Sequence, residues 1–573
     1  MSNVEQKLSK TRAQLRIGIV IQARSGSTRF PEKVLKTISG KTVLTRVLDQ
    51  CKKVRSISTI VVATTTKAAD DVIERLAESQ GAEVFRGSEA DVLSRYAESA
   101  RKYALDWIVR VTSDCPLLDP NLVDQLIEKA ISEDLDFVSI STKPGGEIAR
   151  SFPHGLDAEV YRREALLISD QEVTDPLEKE HVGVFITKNS NRFRIGILQN
   201  SEDLSFVRVT LDYPEDLERL NFIAENLSAD FRWPEIVDLV REKRPPLFFI
   251  VDSENRSGNG HIVRSQSLAR ALARKGQDCV FITQEPSKIL PLFEPLPLKG
   301  HSGSEKADQV AKLMRSVNSK LLVVDSYLLP NLFYETLKNK SPTTKIIAFD
   351  DAGEKQNVPA DKLICLYSEN SQKSLAVGLK YFPLREEINE IIELKDALSG
   401  DHKTIFVCMG GADQNGYTEK VGHALKQIPE AQNYEVHLVY GPHTTKKEVN
   451  WPLNFKIFQN PKNFIELLRR SSLSIISAGN LAWEALALGK SSAVVQTVGN
   501  QLRSIQMIKK NKAAFVLENN ELVFVKGIES FLQNESLRNE FQKNASEMID
   551  GQGAERLANV IIEFGRVELN QGG

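Results

Sequence analysis

Cysteine is scarce. Cys51, Cys115, Cys279, Cys365 and Cys408 stand far apart and none belongs to a C-x-x-C pair, so neither a zinc site nor a disulfide framework has the residues it needs. Long apolar runs are missing too, since no stretch approaches the ~20 residues that cross a bilayer. The basic tail MSNVEQKLSKTRAQLR leads into the short run Ile17–Ile21 rather than into the apolar region of a secretion signal. Neither sign of charge dominates: 74 basic residues face 76 acidic ones, for a formal charge of −2. Duplex nucleic acid or an anionic membrane demands a far stronger basic footprint. Low-complexity segments and short-period repeats are absent, as is the G-x-x-x-x-G-K-[ST] loop. The expectation is a cytoplasmic protein with no membrane span and no nucleic-acid partner.

What is present is ordinary globular composition, 41% hydrophobic and 26% charged, in 573 residues. At roughly 100–200 residues per domain that length makes three or four units. After a polar tail (1–14), short β-rich runs alternate with helical periodicity: IGIVI (17–21), TIVVAT (59–64), AEVFRG (82–87), WIVRVT (107–112), FVSIST (137–142) and FVRVTL (206–211). Val43, Leu44, Val47, Leu48 and Cys51 form one face of a helix. This alternation predicts an α/β fold with a largely parallel sheet. REKRPP (241–246) ends the first domain (15–243), because prolines continue neither a helix nor a central strand. A new cycle begins at LFFIVD (247–252) and runs through CVFIT, LLVVD, KIIAFDD, TIFVCMGG, EVHLVYG, LSIISAG and SAVVQT. A polar stretch around Glu386–Lys403 divides it into two Rossmann-like lobes, 244–400 and 401–573, with a ligand cleft beyond the strand ends.

The loop after the first strand, IQARSGSTRFPEKVL, carries Gln22, Ala23, Ser25, Gly26 and Ser27 beside Arg24, Arg29 and Lys33. Exposed backbone N–H groups cradle phosphates, and the three basic side chains supply countercharge. A basic surface turn is the alternative. This run, with VVATTT, VFRGSEADVLSRY, VTSDCPLLDP and LDYPEDL, resembles the cytidylyltransferase family that includes spore-coat polysaccharide enzymes and the acylneuraminate and deoxyoctulosonate cytidylyltransferases. The resemblance covers about residues 16–226. It implies a Rossmann-like nucleotidyltransferase, CTP, a sugar acid activated as its CMP conjugate, pyrophosphate release and Mg²⁺, with Arg24, Lys33 and Asp114 catalytic.

Mg²⁺ is commonly held by one or two carboxylates together with phosphate oxygens. Asp114 and Asp212, each just past a β-rich run, are the candidate metal ligands; turn or cap positions are the alternative for each. Sialic-acid-activating relatives carry D-x-D where this chain has Thr210-Leu211-Asp212, so one carboxylate is missing. SFPHGLDAEV (151–160) supplies His154, Asp157 and Glu159 as sugar-binding candidates, with His181 as a further histidine.

In the second half, SGNGHIVRSQSLA places Gly258 and Gly260 before a helix that opens with His261. Such a loop accepts a diphosphate, and a neutral imidazole beside it can act as general base; a histidine capping its own helix is the alternative. SAGNLAWEALALGK adds Ser477 and Gly479 at another loop-helix junction and Glu484 for ribose hydroxyls, while Asn500 and Gln501 end the next loop. Asp252, Asp325 and Tyr327 are sugar-binding candidates, with Asp350 and Asp351 of the same kind. These motifs, with VVDSYLL, IIAFDDAG and VCMGGAD, are similar to the UDP-sugar hydrolase of pseudaminic acid biosynthesis and its spore-coat homologues, within the two-lobed GT-B superfamily. That resemblance implies hydrolysis of a UDP-linked diacetamido sugar with His261 as base and no metal. The family's arginine two residues before the first aspartate is Ile250 here.

The leading expectation is therefore a bifunctional enzyme of surface-glycan supply, using CTP with a nonulosonic-type sugar acid and, separately, a UDP-sugar. A C-terminal glycosyltransferase, or a non-catalytic nucleotide-sugar-binding module, are the alternatives. A homodimer is compatible with the sequence, which does not set the oligomeric state.

Overall fold

The computed structural model describes residues 15–253, 260–351, 358–367, 373–393, 403–411, 413, 415–444, 449–518 and 521–570. The chain divides into two compact units, Met1–Arg244 and Pro245–Gly573. No helix among the described residues is long and apolar enough to cross a membrane.

The first unit holds β1 (Ile17–Gln22), a small hairpin of β2 (Thr37–Ile38) and β3 (Lys41–Thr42), then β4 (Thr59–Thr65), β5 (Glu83–Gly87), β6 (Trp107–Thr112), β7 (Phe137–Ser139), β8 (Ala158–Arg162) and β9 (Ile195–Ile197). Seven of these form one sheet in the order β5-β4-β1-β6-β8-β7-β9. β1 is central and parallel to both β4 and β6. Its apolar run is continuous because helices cover both faces. One of those helices, Val43–Cys51, is capped by the Thr42 hydroxyl, which accepts from the Thr45 amide at 3.2 Å. It buries Val43, Leu44, Val47, Leu48 and Cys51, the face its spacing predicts.

Two expectations fail here. β8 pairs antiparallel with both β6 and β7, so the sheet is mixed. FVRVTL (206–211) is no strand: Arg208 makes only an isolated bridge to His154. The backbone groups a ladder would use are taken by loops, since the His154 amide donates to the Val207 carbonyl (2.8 Å), Val209 to His154 (2.7 Å) and Leu211 to Asp114 (2.9 Å). That pairing carries Asp212 to the end of β6, beside Asp114.

The second unit is two parallel sheets, the two-lobed GT-B-like arrangement. The first lobe has β10 (Leu247–Val251), β11 (Cys279–Thr283), β12 (Leu296–Pro297), β13 (Leu321–Asp325), β14 (Lys345–Phe349), β15 (Lys362–Cys365) and β16 (Ser374–Val377), ordered β12-β11-β10-β13-β14-β15-β16. The second has β17 (Thr404–Cys408), β18 (Glu435–Tyr440), β19 (Phe455–Gln459), β20 (Leu473–Ser477), β21 (Ser491–Val495) and β22 (Phe515–Leu517), ordered β19-β18-β17-β20-β21-β22. β12, β15, β16, β19 and β22, absent from the strands read in the sequence, lie at or next to the sheet edges, where short or half-exposed runs suffice. The final helix, Gly553–Asn570, returns to the first lobe, where Glu555 pairs with Arg274 and Lys275 at 2.9 Å each.

Gly155 has φ +109°, and a Cβ there would lie 2.5 Å from the Thr210 amide nitrogen and the Val209 carbonyl carbon. The 151–156 loop presses directly on the 206–211 backbone, which leaves no room for a side chain. Gly155→Ala is therefore expected to destabilise the first unit by about 3 kcal/mol or more, combining a forbidden φ with a backbone clash. A urea midpoint within error of wild type would contradict this packing.

Candidate functional site

The phosphate-type loop of the first unit is organised by a residue the motif does not contain. The Ser25 amide and hydroxyl both donate to Asp70 Oδ1, at 2.7 and 2.6 Å, and the Thr65 hydroxyl donates to the other Asp70 oxygen. Burial pushes the Asp70 carboxyl up, but hydrogen bonds from Ser25 and Thr65 outweigh it and hold it below its ordinary range. Ala23 is tied to the Ala63 carbonyl at 3.2 Å and Ser27 to the Ser25 carbonyl at 2.9 Å. The amides of Gly26 and Thr28 keep no acceptor among the described residues, so they remain available to an anion. Arg29 lies over the Tyr213 ring, 5.4 Å from its centroid, and Arg24 is exposed near Glu89 at 3.9 Å.

Two expected nucleotide contacts are corrected. The Gln22 side-chain oxygen accepts from Arg110 and from the Tyr96 hydroxyl, both at 3.2 Å, and the Ser25 hydroxyl is committed to Asp70. Lys33 is also corrected: its ammonium bridges Asp114 Oδ2 (2.7 Å) and Asp212 Oδ1 (2.8 Å) instead of reaching into the loop. Tertiary pairing wins because two carboxylates at one point require a countercharge.

These carboxylates line a cavity of about 210 Å³ together with His154, Asp157 and Glu159. Arg208 pins the other Asp212 oxygen at 3.0 Å and is itself gripped by Asp216 at 2.9 and 3.0 Å. Burial raises the Asp212 carboxyl, yet Lys33 and then Arg208 overcome it and bring it down to about 2. Thr210 offers no third carboxylate; its hydroxyl donates to the Asp114 carbonyl at 3.1 Å. No group of three or more metal-ligating side chains occurs among the described residues. The convergence of Asp114 and Asp212 on one cation still fits a magnesium ion that takes its remaining ligands from phosphate and water.

In the acceptor half, Arg110 pairs with Glu159 at 2.9 Å and Arg150 with Asp157 at 2.8 Å. The Tyr161 hydroxyl also donates to Glu159. His154 Nδ1 faces Arg208 Nη1 at 3.3 Å. Both arginines line the cavity and neither stands in a motif that singles it out. His181 is exposed beyond the helix Pro176–Glu180 and does not line this cavity.

In the second unit a cleft of about 710 Å³ lies between the two lobes. The helix Gly260–Arg274 opens on one wall with His261, whose Nδ1 is 2.6 Å from Asp325 Oδ1. A carboxylate can only accept, so Nδ1 carries the proton and Nε2 is the basic nitrogen. The buried Arg264 donates to both Asp325 oxygens at 2.7 and 2.5 Å and to Asp351 at 2.7 Å. Burial would raise the Asp325 carboxyl, but Arg264 and His261 hold it well below the usual range. Tyr327 packs edge-on against His261 (4.6 Å between centroids) and its hydroxyl donates to Asp351 at 2.7 Å.

Two expected sugar ligands are thereby corrected. Asp325 is buried behind His261, and Asp252 is fully buried with one oxygen accepting from the Tyr327 amide at 2.6 Å; neither lines the cleft. Both lie on β-strand ends that the lobe covers.

The opposite wall is Ser477, Gly479 and the start of the helix Asn480–Ala487. Asn480 Nδ2 reaches across to the Gly260 carbonyl at 3.0 Å. Glu484 is buried, not solvated: Oε1 accepts from Arg385 at 2.7 Å, while Oε2 has no partner among the described residues. Burial raises its carboxyl, and Arg385 only partly offsets that. Arg385 precedes the polar stretch taken as a separator, which concealed it. Gln501 holds its own loop through the Thr497 amide at 2.8 Å. Asn500 lies in the short turn Gly499–Gln501. Gly258 lies outside the described residues.

Residues 18–228 match the cytidylyltransferase family. Spore coat polysaccharide biosynthesis protein SpsF of Bacillus subtilis is 32% identical over 207 residues, spanning 35% of this chain and 83% of that protein. Spore coat polysaccharide biosynthesis protein SpsG of the same organism is 21% identical over 340 residues, 56% of this chain and 98% of that protein. The structure of a cytidylyltransferase from Leptospira borgpetersenii serovar Hardjo-bovis is similar to 40% of this chain and 95% of its own, at 32% identity and a TM-score of 0.38.

The depressed Asp212 carboxyl makes stability depend on pH in a set direction. An unfolded aspartate titrates near ~3.9, whereas the folded one stays charged down to about 2. Its contribution is therefore full above about pH 5, fades as pH falls through about 4 and is gone below about 2, roughly 2 kcal/mol in all. Urea unfolding of wild type and Asp212→Asn between pH 2 and 6 should show a slope flatter in the variant by that amount. Equal slopes would remove Lys33 and Arg208 as the cause.

Proposed function

The chain belongs to the cytidylyltransferase family through residues 18–228, and from that membership we propose that the first unit transfers a cytidylyl group from CTP to a sugar acid. The observation that carries this is the convergence of Asp114, Asp212 and Lys33 at the mouth of a polar cavity, in the same unit as a loop with free amides. The triphosphate rests on the Gly26 and Thr28 amides, with Arg24 and Arg29 beside it. The acceptor hydroxyl, held in the cavity of His154, Asp157 and Glu159, forms a bond to the α-phosphorus as the bond to the β-phosphate oxygen breaks and pyrophosphate leaves. A carboxylate oxygen of Asp114 takes the hydroxyl proton. Asp114 and Asp212 would hold Mg²⁺, which when bound neutralises the α-phosphate and the leaving pyrophosphate. Lys33 then remains close to the transferring phosphoryl group as a second positive charge.

For the second unit we propose hydrolysis of a UDP-linked diacetamido sugar, which feeds the same surface-glycan supply. His261 Nε2 takes a proton from water, the water oxygen bonds to the anomeric carbon, and the bond from that carbon to the phosphate oxygen breaks. UDP leaves with its phosphates toward Gly479 and Asn480 and its ribose hydroxyls toward the unpartnered Glu484 oxygen. A second reading, glycosyl transfer, is favoured by the size of the cleft: 710 Å³ has room for an acceptor hydroxyl in place of water. Products analysed with and without an added acceptor separate the two.

Asp114→Asn should abolish formation of any CMP conjugate from CTP, Mg²⁺ and a panel of eight- and nine-carbon sugar acids, with a loss of about 10³-fold or more. A conjugate formed by the variant at the wild-type rate would place the chemistry elsewhere. In the second unit, Asp325→Asn should force the other tautomer on His261 and reduce UDP release by roughly 10²–10⁴-fold while UDP still binds. Unchanged turnover would remove His261 as the base.

A further inference from the structure

The acceptor half of the first-unit cavity is charged on both sides and already paired. Arg110 Nη1 is 2.9 Å from Glu159, while its Nε and Nη2 lie 3.3 and 3.2 Å from the Gln22 oxygen. Arg150 Nη2 is 2.8 Å from Asp157, whose other oxygen accepts from the Gly155 amide at 3.1 Å. Lys33 is bound to Asp114 and Asp212 at the reacting end. The cations that line this cavity are thus matched by carboxylates.

A sugar acid brings one more carboxylate into that balanced set. To bind a guanidinium it must displace Glu159 or Asp157, whose side chains are only 15% and 22% exposed. Breaking such a pair strands a carboxylate away from water, and that penalty exceeds what the substrate's own carboxylate gains from the arginine. A substrate with a protonated amine removes the penalty: its carboxylate takes the arginine and its ammonium takes the displaced carboxylate, so two ion pairs exchange for two.

We infer that this cavity selects a zwitterionic acceptor, a sugar acid bearing a free primary amine, in preference to the same acid with that nitrogen acetylated. Glu159 and Asp157 determine this specificity by receiving the ammonium, and Arg110 and Arg150 by receiving the carboxylate. The inference rests on the cytidylyltransferase reading of the unit.

The test is a panel of eight- and nine-carbon 2-keto-3-deoxy sugar acids, each as free amine and as its N-acetyl derivative, supplied with CTP and Mg²⁺ to the full chain. CMP conjugates are followed by mass spectrometry. The expected result is a kcat/KM about tenfold or more higher for at least one amine than for its acetamide. Glu159→Gln or Asp157→Asn should bring that ratio to within about threefold, with the amine losing and the acetamide gaining. Equal kcat/KM for every amine and acetamide pair in the wild type overturns the inference while leaving cytidylyl transfer intact, and so does a preference that survives both substitutions. If no acid of either kind yields a conjugate, the cytidylyltransferase reading itself fails and the inference falls with it. The wild-type ratio needs no variant to fold, so destabilised variants leave the test standing.

Discussion

Parallel strands all end at the same edge of a sheet, and each site in this chain is a consequence of that alignment. β1 and β6 run side by side from Ile17↔Trp107 to Gln22↔Thr112, so the loop opening at Ala23 and the turn bearing Asp114 leave the sheet together. β10 and β13 pair up to Val251↔Asp325, which sets Asp325 behind the helix that begins at Gly260. β17 and β20 pair up to Cys408↔Ile476 and deliver Gly410 and Ser477 to one rim of the cleft. The hydrophobic runs that make these strands have no chemistry of their own, yet they decide which polar residues become neighbours.

Once polar residues are collected at such an edge, the low local dielectric requires that they be matched. In the first unit Lys33 answers two carboxylates and Arg208 answers Asp212 and Asp216 together. In the second, Arg264 spans Asp325 and Asp351, and through Asp325 the proton on His261 has a defined place. Both sites use a buried cation to keep carboxylates ionised and stationary. They differ in what is left open: a small polar cavity of about 210 Å³ in one and a cleft of about 710 Å³ in the other. The smaller suits a compact, hydroxylated acceptor, and the larger a whole nucleotide sugar.

Local reading reached the parts of these sites that lie next to their own strands. Asp114 follows WIVRVT and His261 follows the Gly-containing loop after LFFIVD, so their position could be inferred from where an apolar run stops. Asp70, Arg110, Arg208, Arg264 and Arg385 were out of reach for a common reason. Each acts on a residue far away in the chain, as Asp70 does on Ser25 and Arg385 on Glu484, and a side chain that works at long range leaves no spacing to detect. Asp325 was placed on the right strand end but assigned the wrong role, because a strand end does not say whether its last side chain faces ligand or a neighbouring helix.

Hydrophobic periodicity by itself determined two α/β units, the central strands, the helix over Val43–Cys51 and the loops that follow the strands. Those are decided within a few residues, by which face of an element meets water. Tertiary structure alone decided that β8 inserts antiparallel, that 206–211 gives up its strand to hold His154 and Asp212 in place, and that each buried carboxylate has the cation it does. Charge pairing depends on distance in space, and the chain brings residues as far apart as Lys33 and Asp212 to 2.8 Å only when the sheet has formed between them.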